Sequence, residues 1–169
     1  GSANTISVDG SKLHLGSSTA GQELLTADDS KPATPMALTV ENGGSLILGT
    51  GAVSNNLDAA VTLTGTNGTT GSSLLINAGQ KNIVSITAQS GTTITIAYGA
   101  TLNADSLIMN QATMQVNGTL SDTPISGGKG TVIRIGSDTG AGHVIIRLAD
   151  NSSLTGTQIF LDPVWSGGT

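Results

Sequence analysis

Apolar residues in this chain arrive in short runs at even intervals. Leu38, Val61, Val84 and Leu107 each open a run, and each lies 23 residues after the one before. A second set falls between them, at 46–48, 74–76, 94–96 and 114–116. The runs are rich in Leu, Ile, Val and Thr and are bounded by Gly, Asn or Asp. Short strands recurring every 20–25 residues or so are the sign of a stacked repeat, and here they predict an all-β parallel β-helix. A three-residue strand cannot bury its apolar face alone. Stacked about 4.8 Å above and below strands like itself, it completes a sheet. Asn and Gly at the bends supply the positive φ that tight corners need. Thr suits the outward face, being β-branched and able to hydrogen-bond to water or to a Thr in the next coil.

Taken in order, the chain begins with a first coil over residues 3–15: Ile6-Ser7-Val8, a turn at Asp9-Gly10, then Lys12-Leu13-His14-Leu15. Asp-Gly between two apolar runs is a strong turn signal. His14 alternates with Leu13 and Leu15, so it faces away from them, as a solvent-facing histidine rather than a ligand. Residues 16–37 break the pattern with two Pro, the acidic pair Asp28 and Asp29, and several Ser and Thr. They predict an extended loop that leaves the coil and returns, anchored by Leu24 and Leu25. Such excursions carry function more often than a regular scaffold does. Asp28 and Asp29 are therefore candidate contacts, as a cation site, a sugar-contacting pair or simply a solvated acidic loop; two adjacent carboxylates alone make a poor calcium cage. Regular coils fill 38–120, and the last coils and a C-terminal segment fill 121–169. Within that segment, 131–135 (TVIRI) and 143–148 (HVIIRL) are the strongest strands. Arg134 and Arg147 take outward positions there if their Ile and Val neighbours face in. They read either as a small basic spot for an acidic partner or glycan, or as charges that blunt exposed sheet.

Composition narrows the class. The 169 residues share one composition, which predicts a single domain. Only 10% are charged, but 37% are hydrophobic, so the chain is ordered rather than disordered. No stretch holds a helical period for long. A net charge of −5, with six Lys and Arg scattered along the chain, argues against nucleic acid as a partner. No run is long enough for a transmembrane helix. Gly1-Ser2 looks like the remnant of a cleaved tag, and the Gly167-Gly168-Thr169 end lacks a terminating feature, so the sequence reads as a piece of a larger protein.

Motifs for chemistry are sparse. Asp138-Thr139-Gly140-Ala141 matches the loop that carries an aspartic-protease carboxylate, but one copy cannot form the proton-sharing pair, and Gly136-Ser137 precede it instead of a buried strand. Gly127-Gly128-Lys129-Gly130 begins like a calcium-binding β-roll repeat without its Asp. T-x-T strings, as at 62–64 and 93–95, are too few and unaligned to make a flat lattice. No catalytic, cofactor-binding or metal-ligating residue is identified, and the chain is not expected to be an enzyme.

Asn42-Gly43-Gly44-Ser45-Leu46, Tyr98-Gly99-Ala100-Thr101-Leu102 and Val116-Asn117-Gly118-Thr119-Leu120 resemble the glycine-bearing steps of bacterial autotransporter passenger domains. The ending Thr157-Gln158-Ile159-Phe160-Leu161-Asp162-Pro163-Val164-Trp165 is similar to segments in the self-associating, AIDA-like adhesin group. The resemblance covers nearly the whole chain, through loose repeats, and only the terminal stretch is specific. It implies a right-handed β-helix displayed on the bacterial surface, exported through the outer membrane, with its anchoring β-barrel outside this sequence. It also implies adhesion, to identical passengers on neighbouring cells or to host glycan or matrix protein, and carries over no catalytic residues.

Self-association through such faces would use small polar contacts, paired with Lys12, Lys81, Arg134 or Arg147 and with the loop around Asp28 and Asp29. Phe160, Pro163 and Trp165 are candidates to cover the open lower end of the helix, Trp165 alternatively stacking on a sugar. The competing readings are a polysaccharide-binding or polysaccharide-cleaving β-helix of the lyase or phage-tailspike type, and a passive stem or spacer.

Overall fold

The computed structural model describes residues 5–9, 12–15, 35–49, 55–65, 71–121, 132–136, 145–150, 152–155 and 158–161, with side chains at 35–49, 59–65, 71–121, 145–150, 152 and 153. Fifteen strands follow in order among these residues: β1 (Thr5–Asp9), β2 (Lys12–Leu15), β3 (Met36–Glu41), β4 (Ser45–Leu48), β5 (Asn55–Leu63), β6 (Ser73–Ile76), β7 (Gln80–Ala88), β8 (Thr93–Ile96), β9 (Thr101–Asn110), β10 (Thr113–Val116), β11 (Thr119–Ser121), β12 (Val132–Gly136), β13 (Ile145–Leu148), β14 (Ser153–Thr155) and β15 (Gln158–Leu161). Every pairing between them is parallel. The chain winds as a parallel β-helix with three sides.

The second side is the simplest. It stacks β2, β4, β6, β8, β10 and β13. Leu46, Leu74, Ile94 and Met114 form one inward column and Leu48, Ile76, Ile96 and Val116 another, each in direct register. All eight are buried. Strict alternation does this: Ser45, Ile47, Thr93 and Thr95 lie between the buried positions and are half-buried on the outer surface.

The first and third sides share strands. β5, β7 and β9 are long, and β7 and β9 carry three consecutive buried residues near the middle of their course, Lys81-Asn82-Ile83 and Leu102-Asn103-Ala104. A straight strand would send the middle residue of each trio outward, so each strand bends there. Pairing shows the same corner: β11 joins the start of β9, Leu120 on Leu102, whereas β12 joins its end, Ile135 on Met109. The early halves of β5, β7 and β9 with β11 and β14 make the third side. The later halves with β1, β3, β12 and β15 make the first.

On the first side the stack runs Leu38, Val61, Ile86, Leu107, with steps of 23, 25 and 21 residues. The even 23-residue spacing therefore names the wrong residue at one position. Val84 is half-buried just past the corner, and Ile86 stands over Val61. Register shifts between Leu57 and Ala60, where β5 spends two residues, Asp58 and Ala59, against the single Val84 of β7. Coil length varies, while the inward column is conserved in place. Most of the stretch expected as loop lies outside the described residues, but its last residues, Met36 and Ala37, already belong to β3, and β3 and β4 pair directly with β1 and β2.

Corners are set by backbone conformation. Asn42 and Gln111 have positive φ, as do Gly43, Gly49, Gly79, Gly91 and Gly99. Gly118 is needed for space instead: a Cβ there would lie 2.2 Å from Ala100 O and 2.3 Å from Ala97 O. Three consequences are measurable by chemical denaturation. Ile94→Ala, at a fully buried column position, is expected to cost about 2–5 kcal/mol. Gly118→Ala should cost about 1–3 kcal/mol because only backbone can yield. Gly99→Asn, at φ 75 with open space where a Cβ would go, should cost less than Gly118→Ala, since backbone strain alone opposes it and Asn tolerates the left-handed region best.

Candidate functional site

With the core filled by aliphatic columns, chemistry can sit only on the sides, at the corners or at the ends. Short side chains stack in columns on the outer surfaces of the first two sides, beside a longer-chained column of Ile47, Leu75, Thr95 and Gln115 on the second. On the first side Thr39, Thr62 and Thr87 stand in register, followed by Ile108, beside a column of Ala37, Ala60, Ser85 and Ser106. On the second side Ser45, Ser73, Thr93 and Thr113 form one column. The third side adds Gln80, Thr101, Thr119 and Ser153. In-register stacking repeats these hydroxyls at roughly the 4.8 Å strand spacing. Ser45 Oγ and Ser73 Oγ are 2.8 Å apart and hydrogen-bonded, and Ser153 Oγ donates to Thr119 Oγ1 at 3.1 Å. The columns are hidden in the sequence because coils of unequal length put their members at unequal spacings. Only the T-x-T strings were visible, and Thr62 and Thr93 lie on different sides.

Of the residues singled out from sequence, Asp28 and Asp29 lie outside the described residues, as do Asp138-Thr139-Gly140-Ala141, Gly127–Gly130, Pro163 and Trp165. Lys12 and His14 lie on β2, where His14 pairs with Ile47. Phe160 is on β15, paired with Arg134 of β12. Arg147 is exposed, at the register step after Gln115. Arg134 belongs to the first side and Arg147 to the second. The backbone therefore distributes the two arginines over separate sheets instead of joining them in one spot. The expectation that the apolar neighbours of Arg147 face in holds for Ile146, which packs against the core, but Ile145 and Leu148 are 37% and 54% exposed. β13 is the last strand of its side among the described residues, so Leu148, one step beyond the buried Val116, has no further strand to cover it.

Lys81 is the clearest departure. Counted from sequence as a polar surface contact, it is only 5% exposed. Its register neighbour is Leu102, itself under Leu120, so the lysine occupies an inward step of the third side. Nothing in the string Gln80-Lys81-Asn82 distinguishes it from a surface lysine; the signal lay in the alignment of β7 with β9, which single-sequence spacing did not supply. Beside it, Asn82 and Asn103 stack in register at the corner and both are buried. Asn103 Nδ2 donates to Ser121 O at 2.8 Å, while its Oδ1 has no hydrogen-bond partner, as is also true of Ser72 Oγ. Among the described residues no three His, Asp or Glu side chains gather as metal ligands.

Burial pushes the Lys81 ammonium below its ordinary pKa of 10.5 by desolvation. The unfolded chain then holds this proton more tightly than the folded one. Between the lowered pKa and 10.5, stability rises with pH as the folded-state lysine loses its charge, and below that window the desolvation penalty is present in full. Replacing the lysine by Met removes this dependence. The stability of Lys81→Met relative to the parent should be greatest at neutral pH and below and should decline as pH approaches 10.5, measured by urea denaturation over a pH series.

No protein-family model, curated protein or solved structure matches this chain.

Proposed function

We propose that this chain is a segment of a surface-displayed bacterial adhesin that holds identical molecules on neighbouring cells, or host glycan and matrix, through the outer sides of its β-helix. The observation that carries the reading is the set of hydroxyl columns, above all Thr39, Thr62 and Thr87 beside Ala37, Ala60, Ser85 and Ser106. Short side chains leave the surface even, so two such surfaces, or one surface and a polysaccharide, approach closely without large side chains to displace. Each hydroxyl both donates and accepts. Individual contacts are weak, and many copies displayed together make them effective. The resemblance of 42–46, 98–102 and 116–120 to passenger-domain steps supports the same reading, as does a net charge of −5 that sets this surface apart from phosphate binders. Chemistry at a cleft is not part of the proposal.

The test is clumping of cells that display the parent passenger with and without this segment, with host-cell attachment measured in parallel. Deletion should abolish one of the two. The triple substitution Thr39→Glu, Thr62→Glu and Thr87→Glu should reduce the same activity to the level of the deletion, because like charges one coil apart repel across the face. Persistence of both activities after deletion would make the segment a stem.

A further inference from the structure

We infer that Asn42 is a site of spontaneous covalent modification in the folded protein, where its side-chain amide is lost to attack by the backbone nitrogen of Gly43. Asn followed by Gly is the pairing in which this reaction is least hindered, because no Cβ shields the attacking nitrogen. The chain has three such pairs, at 42–43, 67–68 and 117–118. The structure describes the first and the last: Asn42 and Gly43 are exposed, whereas Asn117 is half-buried and Gly118 buried.

Asn42 and Gly43 form the tip of the turn between β3 and β4, with φ values of 52° and 73°, closed by Gly44 N–H donating to Glu41 O at 2.9 Å. Both residues are exposed. Gly43 N–H donates to no group among the described residues, and with no Cβ on Gly43 the attacking nitrogen is open to solvent.

At the second pair the attacking nitrogen is held. Asn117 is half-buried and its Oδ1 accepts from Gln115 Nε2 at 2.8 Å. Gly118 N–H donates to Ile96 O at 3.2 Å, and Asn117 N–H donates to that oxygen at 2.9 Å. Gly118 is buried against Ala97 and Ala100 carbonyl oxygens. Reaction there first requires the corner to open.

The chemistry needs only water. Gly43 N, losing its proton, forms a bond to Asn42 Cγ; the Cγ–Nδ2 bond breaks and ammonia departs with that proton, leaving a five-membered imide. Water then adds to either imide carbonyl. Cleavage at Cγ gives aspartate with the main chain unaltered. Cleavage at the main-chain carbonyl gives isoaspartate, which carries the chain through the former side chain and lengthens the turn by one methylene. Either product makes the chain one unit more negative than −5. The new carboxylate adjoins Glu41, whose register neighbour on β1 is Asp9.

The experiment incubates the native chain at mildly alkaline pH and body temperature, then quantifies Asp and isoaspartate at each Asn-Gly pair by digestion and fragmentation mass spectrometry. A parallel sample is kept unfolded in urea. In the native chain Asn42 should convert at least tenfold or so faster than Asn117, the factor that an opening of only about 1.4 kcal/mol at the second corner produces. In urea the two rates should converge, and Asn42→Gln should remove the fast native phase. Native conversion at Asn117 as fast as at Asn42, or an intact Asn42 after conversion in urea is complete, would overturn the inference.

Discussion

The structure rests on direct register between parallel strands of successive coils. Backbone groups of the strands pair one step above or below, and the ladder extends past them, as when Asn77 N–H meets Leu48 O and Ala97 N–H meets Ile76 O at the corners that follow β6 and β8. Register also decides what lies inside, because side chains alternate and a one-residue slip would turn Leu74 outward and Leu75 inward. The aliphatic columns and the hydroxyl columns are thus two consequences of one alignment. A coil cannot keep its core and lose its surface pattern, or the reverse.

Three positions oppose this economy. Lys81 brings an ammonium to an inward step that Leu102 and Leu120 fill in the coils above it. Asn103 Oδ1 and Ser72 Oγ are buried without a hydrogen-bond partner. Each such group carries a desolvation cost of about 1–3 kcal/mol, more where charge is involved. Lys81 and Asn103 sit where a long strand bends from the third side to the first. The corner is therefore the most polar part of an otherwise aliphatic interior among the described residues.

Much of the fold was legible in the sequence. The runs at 46–48, 74–76, 94–96 and 114–116 were visible as one recurring strand, and they stack as β4, β6, β8 and β10. What alternation cannot show is how many residues a corner consumes. Val84 was taken for a stack member because Ile and Val serve equally at a corner and on a side, and the two-for-one bulge at Asp58-Ala59 displaced the true member to Ile86. The same uncertainty hid Lys81, since an inward lysine is recognised only when its neighbours in adjacent coils are known. Of the candidate contacts, Arg147 was read correctly as outward. Arg134 and Arg147, 13 residues apart in sequence, fall on different sides of the coil, a separation that spacing alone does not show. The hydroxyl columns, which carry the functional proposal, were the least legible, being features of the stack and of no single coil.

The unequal steps of 23, 25 and 21 residues on the first side show that the solenoid separates length from alignment. Extra residues collect at a bend and never enter a column. A bend can therefore receive a foreign peptide, or lose a few residues, while the faces on either side keep their pattern. Grafting becomes a matter of choosing a corner, and the stretch between Leu63 and Ser73, which already joins two aligned sides by a longer route than Asn110 to Thr113 does, marks where an inserted epitope would be carried outward on an undisturbed stack.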